Sequence, residues 1–324
     1  MINVFSTPIK FLSVIFVFIF SLLPLCIGEA WTSLIIEMFI MAIAASAANL
    51  MAGYAGMVSF GVAGFYGAGA YITALLLIRA KFPFFLAFLG GPVGAALLAI
   101  PIGWLCVRRT AIYFAMLSLA FAQLLYVVAF TWYDFTGGDD GIVGIPVPDF
   151  LNSIFSYYYF ALAILAICLA VMWIMVNSPF GKTIQAMRDN PERTSFIGIN
   201  VRKYQHALYI ISSFFLGVAG SLFCGFNKNV FADYLHWVKT FDITIVYLLG
   251  GINAFIGPTL GAFLYIFANK IIVNYTEYWL IILGGVIILL IIFMPDGVAG
   301  SILKRLLNLQ VQREKQFDPR SHRP

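Results

Sequence analysis

Between Ile154 and Asn177 the chain runs through 24 residues without a charge, and apolar stretches of similar kind recur along the whole sequence. About 20 such residues carry an α-helix across the hydrocarbon of a bilayer. A water-exposed globule needs about a quarter of its residues charged to wet its surface, and here 10% are. Lipid is therefore the medium this sequence expects. In lipid every backbone N–H and C=O must pair internally, so helices or closed barrels are the available folds. Barrel strands read as short alternating segments; these runs are long and continuous, so the expectation is an all-α integral membrane protein.

On that ruler spans are predicted near 10–28, 33–50, 58–78, 84–106, 110–131, 155–176, 207–227, 242–251, 257–273 and 278–294, a polytopic bundle of about ten. Lys10 and the run Phe11–Ile27 look like a signal peptide, but no convincing small-residue cleavage site precedes Glu29, which favours an uncleaved first span. Glycines 53, 56 and 61 interrupt the stretch 33–78, and Gly250, Gly251, Gly257 and Pro258 interrupt 242–273. Broken helices persist at membrane depth where they are buried in protein or line a cavity. Cys26, Cys106, Cys168 and Cys224 are scattered in apolar runs and read as small buried side chains, with no metal site suggested.

Lysine and arginine set orientation, since they collect in cytoplasmic loops. With both termini inside, 14 of the 19 basic residues face the cytoplasm, among them Arg108, Arg109, Lys182, Arg188, Arg193, Arg202 and Lys203, and five face out. The outer loops gather acids, including Asp134, Asp139, Asp140 and Asp149. The surplus of positive charge then belongs to the inner membrane face and not to nucleic acid. Glu37 is the one ionisable group read inside a span. It is either a pathway-facing or partnered carboxylate, or a side chain snorkelling to the interface.

The long inner loop, Ser178–Gln205, reads as two short helices. Asn190 is a good N-cap, Pro191 suits the first helical position, and Glu192 complements the positive helix end. Gly198 supplies a left-handed stop. A two-turn helix over 191–197 is too short to stand alone, so it must dock. It docks either on its own membrane domain or on a partner, which the polar face of Arg188, Asp189, Glu192 and Arg193 suits; a solvated loop is the alternative. Phe196 and Ile197 are expected to anchor it to the membrane domain.

This loop resembles the coupling loop of ABC permeases of the branched-chain amino-acid type, the LivH/LivM family. Four other stretches are similar to the same family: Asn49–Tyr71 (NLMAGYAGMVSFGVAGFYGAGAY), Thr136–Pro146 (TGGDDGIVGIP), Leu249–Ala262 (LGGINAFIGPTLGA) and Pro295–Gly300 (PDGVAG). The TGGDDG loop and the pair Arg108/Arg109 resemble the LivM branch. A glutamate followed by two alanines is typical of the family's coupling helix; here Arg193 and Thr194 follow Glu192.

The resemblance implies a single permease domain over 1–324 of the type II importer kind, with the coupling loop at 178–205 and a polar cytoplasmic tail at 301–324. It implies a bacterial inner-membrane location, a second related permease subunit, two cytoplasmic ABC ATPases and a periplasmic substrate-binding protein. Branched-chain amino acids are the implied cargo, with urea, amides or other small solutes as alternatives. No GxxxxGK[ST] loop occurs in this sequence, so ATP is expected on the partners, and no cofactor in this chain. Beside the resemblance, the residues suggest Glu37, Asn49, Tyr54, Ser59 and Asn253 for the solute pathway, because each puts a polar group in or near an interrupted helix. Asp139 and Asp140 are expected to dock the binding protein. A secondary transporter would carry more embedded ionisable groups, and an enzyme would carry a catalytic motif such as HExxH or GxSxG, which is absent.

Overall fold

Long apolar runs pair their own backbone groups by coiling, and helices dominate the structure accordingly. The computed structural model describes residues 28–109 and 111–275, with scattered positions between 281 and 301. Helix α1 (Glu29–Asn49) passes into a π-helical turn, Leu50–Tyr54. After a break come α2 (Val62–Ile78), α3 (Phe84–Cys106) and α4 (Ala111–Thr131). A loop holding a two-residue strand, β1 (Ile142–Val143), leads to α5 (Ile154–Asn177). Two short helices, α6 (Pro179–Asp189) and α7 (Pro191–Phe196), precede α8 (Val201–Asn227). Then follow β2 (Asn229–Val230), α9 (Trp237–Gly250) and α10 (Gly257–Tyr275).

Five helical stretches among the described residues are long and apolar enough to cross a membrane: Glu29–Tyr54, α3, Ile112–Thr131, α5 and α8. Val62–Ile78 and Gly257–Val273 are shorter apolar helices. The protein is thus an all-α polytopic bundle. The expected span 10–28 lies outside the described residues but for its last residue, as do most of 278–294 and half of the PDGVAG stretch.

Burial separates the helices by role. Of the most apolar 18 residues of the first stretch 94% are buried, whereas in α3, α4 and α5 the share is 39, 28 and 33%. Helix α1 has α5, α8, α9 and α10 packed around it. Helix α8 packs mainly on α2 and α3. Between α9 and α10 the backbones nearly touch: a Cβ on Gly261 would stand 2.0 Å from the Val246 carbonyl oxygen. The GxxxG formed by Gly257 and Gly261 is therefore a packing device.

Both interruptions read from glycine are present, but their edges move. Helix α2 starts at Val62, not near 58. Side chains take up amides around its start: Phe60 N, in the break, donates to Ser118 Oγ (3.1 Å) and Ala63 N, in the first turn, to Thr240 Oγ1 (3.1 Å). Helix α9 starts at Trp237, five residues before the expected 242. That shift adds Lys239 to the helix that already held Asp242, and both line a cavity with Glu37, so Glu37 is not the sole ionisable group at this depth. The short helix ends at Phe196, one residue before the expected 197.

Helix α5 rises about 36 Å from its first residue to its last, so the 132–153 loop and the 178–200 segment lie at opposite ends of the bundle. At the first end β1 pairs antiparallel with β2, Ile142 opposite Val230 and Val143 opposite Asn229.

Candidate functional site

The 178–200 end is built by caps. Ser178 Oγ accepts from Gly181 N (3.3 Å) and Asn190 Oδ1 from Arg193 N (2.8 Å). Each cap is followed by a proline whose missing N–H would have been unpaired anyway. Gly198 sits at φ +87°, the left-handed region that closes a helix. Asn200 then caps α8 by accepting from Lys203 N (3.2 Å). The chain therefore turns sharply three times within about two dozen residues, and α6 and α7 are held across the end of the bundle.

From the last turn of α6, Arg188 reaches back into the bundle. Its guanidinium donates to the Gly53 carbonyl oxygen, in the π-helical turn, and to Asn253 Oδ1 (3.1 Å), in the turn between α9 and α10. Asn49 Nδ2 donates to the Ile252 carbonyl oxygen (3.2 Å), tying the same two turns directly. Three segments distant in sequence meet at one arginine, whose planar fork suits two acceptors at once. Carbonyls freed where a helix breaks must find such donors.

Of the residues suggested for a pathway, Asn49, Tyr54 and Asn253 belong to or flank this knot, with Asn49 buried and Asn253 exposed. Ser59 is buried apart from it, accepting from Gly61 N (3.3 Å). Glu37 lies about 18 Å farther along α1. Asp189, Asn190, Pro191, Glu192, Arg193 and Gly198 are all exposed. The expected anchors are not anchors: Phe196 is 87% and Ile197 71% exposed, and Thr194 is the side chain of α7 that turns inward. The caps fix the rotation of the helix. With Thr194 facing in, Phe196 two residues on points away, and Ile197 lies beyond the last turn.

The second polar cluster surrounds Glu37. A cavity of about 230 Å³ is lined by Glu37 from α1, Lys239 and Asp242 from α9, and Lys270 from α10, with Tyr66 and Phe223 on one wall. Asp242 Oδ1 accepts from Tyr265 Oη (2.7 Å). The Lys239 ammonium stands 5.6 Å from the Phe223 ring and 5.8 Å from that of Tyr66, within range of a cation–π attraction. Two acids and two lysines share one cavity. Lys239 was passed over in sequence because it precedes the apolar run read from 242, and Asp242 because it stands at the first position of that run. Their spacing of three within HWVKTFDITIVYLL, which sets both on one helix face, was the available signal.

At the opposite end Asp139 and Asp140 are exposed. Tyr133 Oη donates to Asp140 Oδ2 (3.0 Å), and this bond pushes the Tyr133 phenol above its ordinary pKa. Arg79 donates to the Asp134 carbonyl oxygen and lies over the Phe135 ring, 5.1 Å from its centroid. Among the described residues no cluster of His, Cys, Asp and Glu is placed to hold a metal.

The family described as branched-chain amino acid transport system / permease component matches residues 31–291. The high-affinity branched-chain amino acid transport system permease protein LivM of Escherichia coli is 24% identical over 277 residues, 77% of this chain. Its Salmonella typhimurium counterpart is 25% identical over 281 residues, again 77% of this chain. Each match spans 65% of the LivM protein's own length. The galactose/methyl galactoside import permease protein MglC of Haemophilus influenzae is 28% identical over 181 residues, 52% of this chain and 54% of that protein.

Proposed function

The chain belongs to the family of branched-chain amino acid transport system permease components, and from that membership we propose that it is the membrane subunit of an ABC importer. In this reading it pairs with a second permease in the bacterial inner membrane, both termini cytoplasmic. Two ATPases bind the 178–200 end and a periplasmic binding protein delivers cargo at the 132–153 end, where Asp139 and Asp140 contribute to docking. Branched-chain amino acids are the favoured cargo. The similarity to MglC keeps another small solute as the second reading, since related permeases serve different substrates.

The observation that supports this most is the reach of Arg188. An ATP-driven importer has to convert motion of soluble subunits into motion of membrane helices. Helix α7 presents Glu192, Arg193 and Phe196 outward, as a surface for a partner. Helix α6, joined to it at Asn190, grips both helix interruptions through Arg188. A push on α7 therefore acts on the turns at Gly53 and Asn253, where the pathway would open on the cytoplasmic side. The energy arrives by contact, and ATP itself is bound by the partners.

Replacing Arg188 by alanine should lower ATP-driven uptake about tenfold, the scale of a charge-assisted hydrogen bond lost from the working cycle. ATP hydrolysis should continue, now uncoupled. Lysine, lacking the two-pronged donor, should rescue poorly. Wild-type uptake by Arg188→Ala would remove the basis of this coupling route.

A further inference from the structure

At the 178–200 end, beside the proposed coupling segment and separate from it, a cavity of about 310 Å³ opens between the end of α3 and the start of α8. Trp104 lines it from α3 and Arg108 from the turn that follows; Asn200, Arg202, Lys203 and His206 line it from α8 and its cap. None of the lining residues is a carboxylate. The Arg108 guanidinium lies flat on Trp104, 3.4 Å from the ring centroid, which holds the charge at the rim. A His206 ring nitrogen, Nε2, is bonded to the Ile100 carbonyl oxygen (2.9 Å). A carbonyl can only accept, so Nε2 carries the proton and the ring is fixed in the wall. The first turn of α8 adds its own positive end, capped by Asn200.

The wall above the cavity is equally specific. Phe82, Leu86, Leu89, Val93, Leu97, Ile100 and Trp104 are all exposed by 43% or more. From Phe84 onward these positions advance by three or four residues, which draws one apolar stripe down the length of α3 to the cavity mouth. On the far side of Arg108 a second cavity, of about 350 Å³, is lined by Leu105, Arg109, Leu117 and Phe121. A cationic, carboxylate-free hollow at the foot of an apolar stripe has the shape of an amphiphile with an anionic head.

We infer that this cavity binds the phosphate of an anionic phospholipid headgroup, with Arg108, Arg202 and Lys203 as the phosphate contacts and the α3 stripe as the seat of an acyl chain. The surrounding principle is general: basic pockets between spans on the cytoplasmic side take anionic headgroups. A bound lipid would join the foot of α3 to the start of α8, the helix that follows the coupling segment. The inference rests on membrane embedding and not on the choice of cargo, so it stands or falls apart from the transport reading.

The full-length chain, purified in mild detergent, provides the test. Phosphatidylglycerol and phosphatidylcholine are offered in equal amounts and the retained lipid is counted by native mass spectrometry. Wild type should retain phosphatidylglycerol preferentially, and an excess of inorganic phosphate should displace little of it. Each basic residue near a membrane surface is worth about fivefold in such binding, so Arg202→Gln with Lys203→Gln should weaken retention roughly 25-fold. Arg109→Gln, outside the first cavity, controls for a general loss of charge and should leave retention nearly unchanged. Arg108→Lys keeps the charge without the stack and covers the case in which the double variant fails to fold; it should lose part of the preference. Equal retention of both lipids, an undiminished preference in the double variant, or full displacement by inorganic phosphate would each overturn the assignment. So would a double variant that keeps its lipid and loses a co-purifying protein instead, since the cavity would then be a protein interface.

Discussion

At the scale of single residues, the charged groups inside the bundle are the ones with most at stake. Asp242 and Tyr265 form a part-buried hydrogen bond, and removing one partner strands the other. Asp242→Ala should therefore destabilise the protein by about 1–3 kcal/mol. Asp242→Ala combined with Tyr265→Phe should recover part of that, because neither polar group is then left unpaired. A thermal melt in detergent checks both, and a double variant no more stable than the single one would show that the bond carries little. Glu37 was legible in sequence because it stands alone in an apolar run. Lys239, Asp242 and Lys270 were not, because helix ends tolerate charge and only packing reveals that they share a cavity. Asn49, Tyr54 and Asn253 were picked for their position at helix breaks, and the structure brings them to one knot. That the knot is tied by Arg188, 135 residues from Gly53, could not be read from spacing.

At the scale of elements, the capped helix α7 is the clearest case of local chemistry dictating structure. Asn190 caps, Pro191 presets the first helical φ and Gly198, lacking a Cβ, takes the left-handed stop, so the start and stop were readable within a residue. Which face the helix presents was not, since six residues give no periodicity to follow. The exposed Phe196 is the consequence that matters. An aromatic side chain at the end of a docking helix should be buried by a partner, where such rings dominate binding. Phe196→Ser should insert and fold normally yet reduce co-purification of the ATPase by about tenfold or more. Phe196→Tyr should be tolerated, and unchanged co-purification by the serine variant would move the docking surface elsewhere on the segment. Gly198→Val should fail differently, by straining the left-handed residue itself.

At the scale of the molecule, the bundle follows from a medium in which backbone groups cannot face solvent. Its apolar helices and its two interrupted segments were foreshadowed by apolar length and glycine position, whereas which helix is central was not, since the buried first stretch is no more apolar than the outer helices. Helix edges were off by up to six residues where charged or polar residues carry a helix past its apolar core, as at Val201–His206 and Trp237–Thr240. The central claim is that ATP hydrolysis on partner subunits drives solute through this chain by way of the 178–198 segment. The most direct measurement is radiolabelled leucine uptake into proteoliposomes holding the assembled complex, with ATP inside and the loaded binding protein outside. The account predicts uptake that requires ATP and the binding protein, survives collapse of the proton and sodium gradients, and is lost in Arg188→Ala while ATP is still hydrolysed. Uptake that ceases when the gradients collapse with ATP maintained, or proceeds without the ATPases, would contradict it.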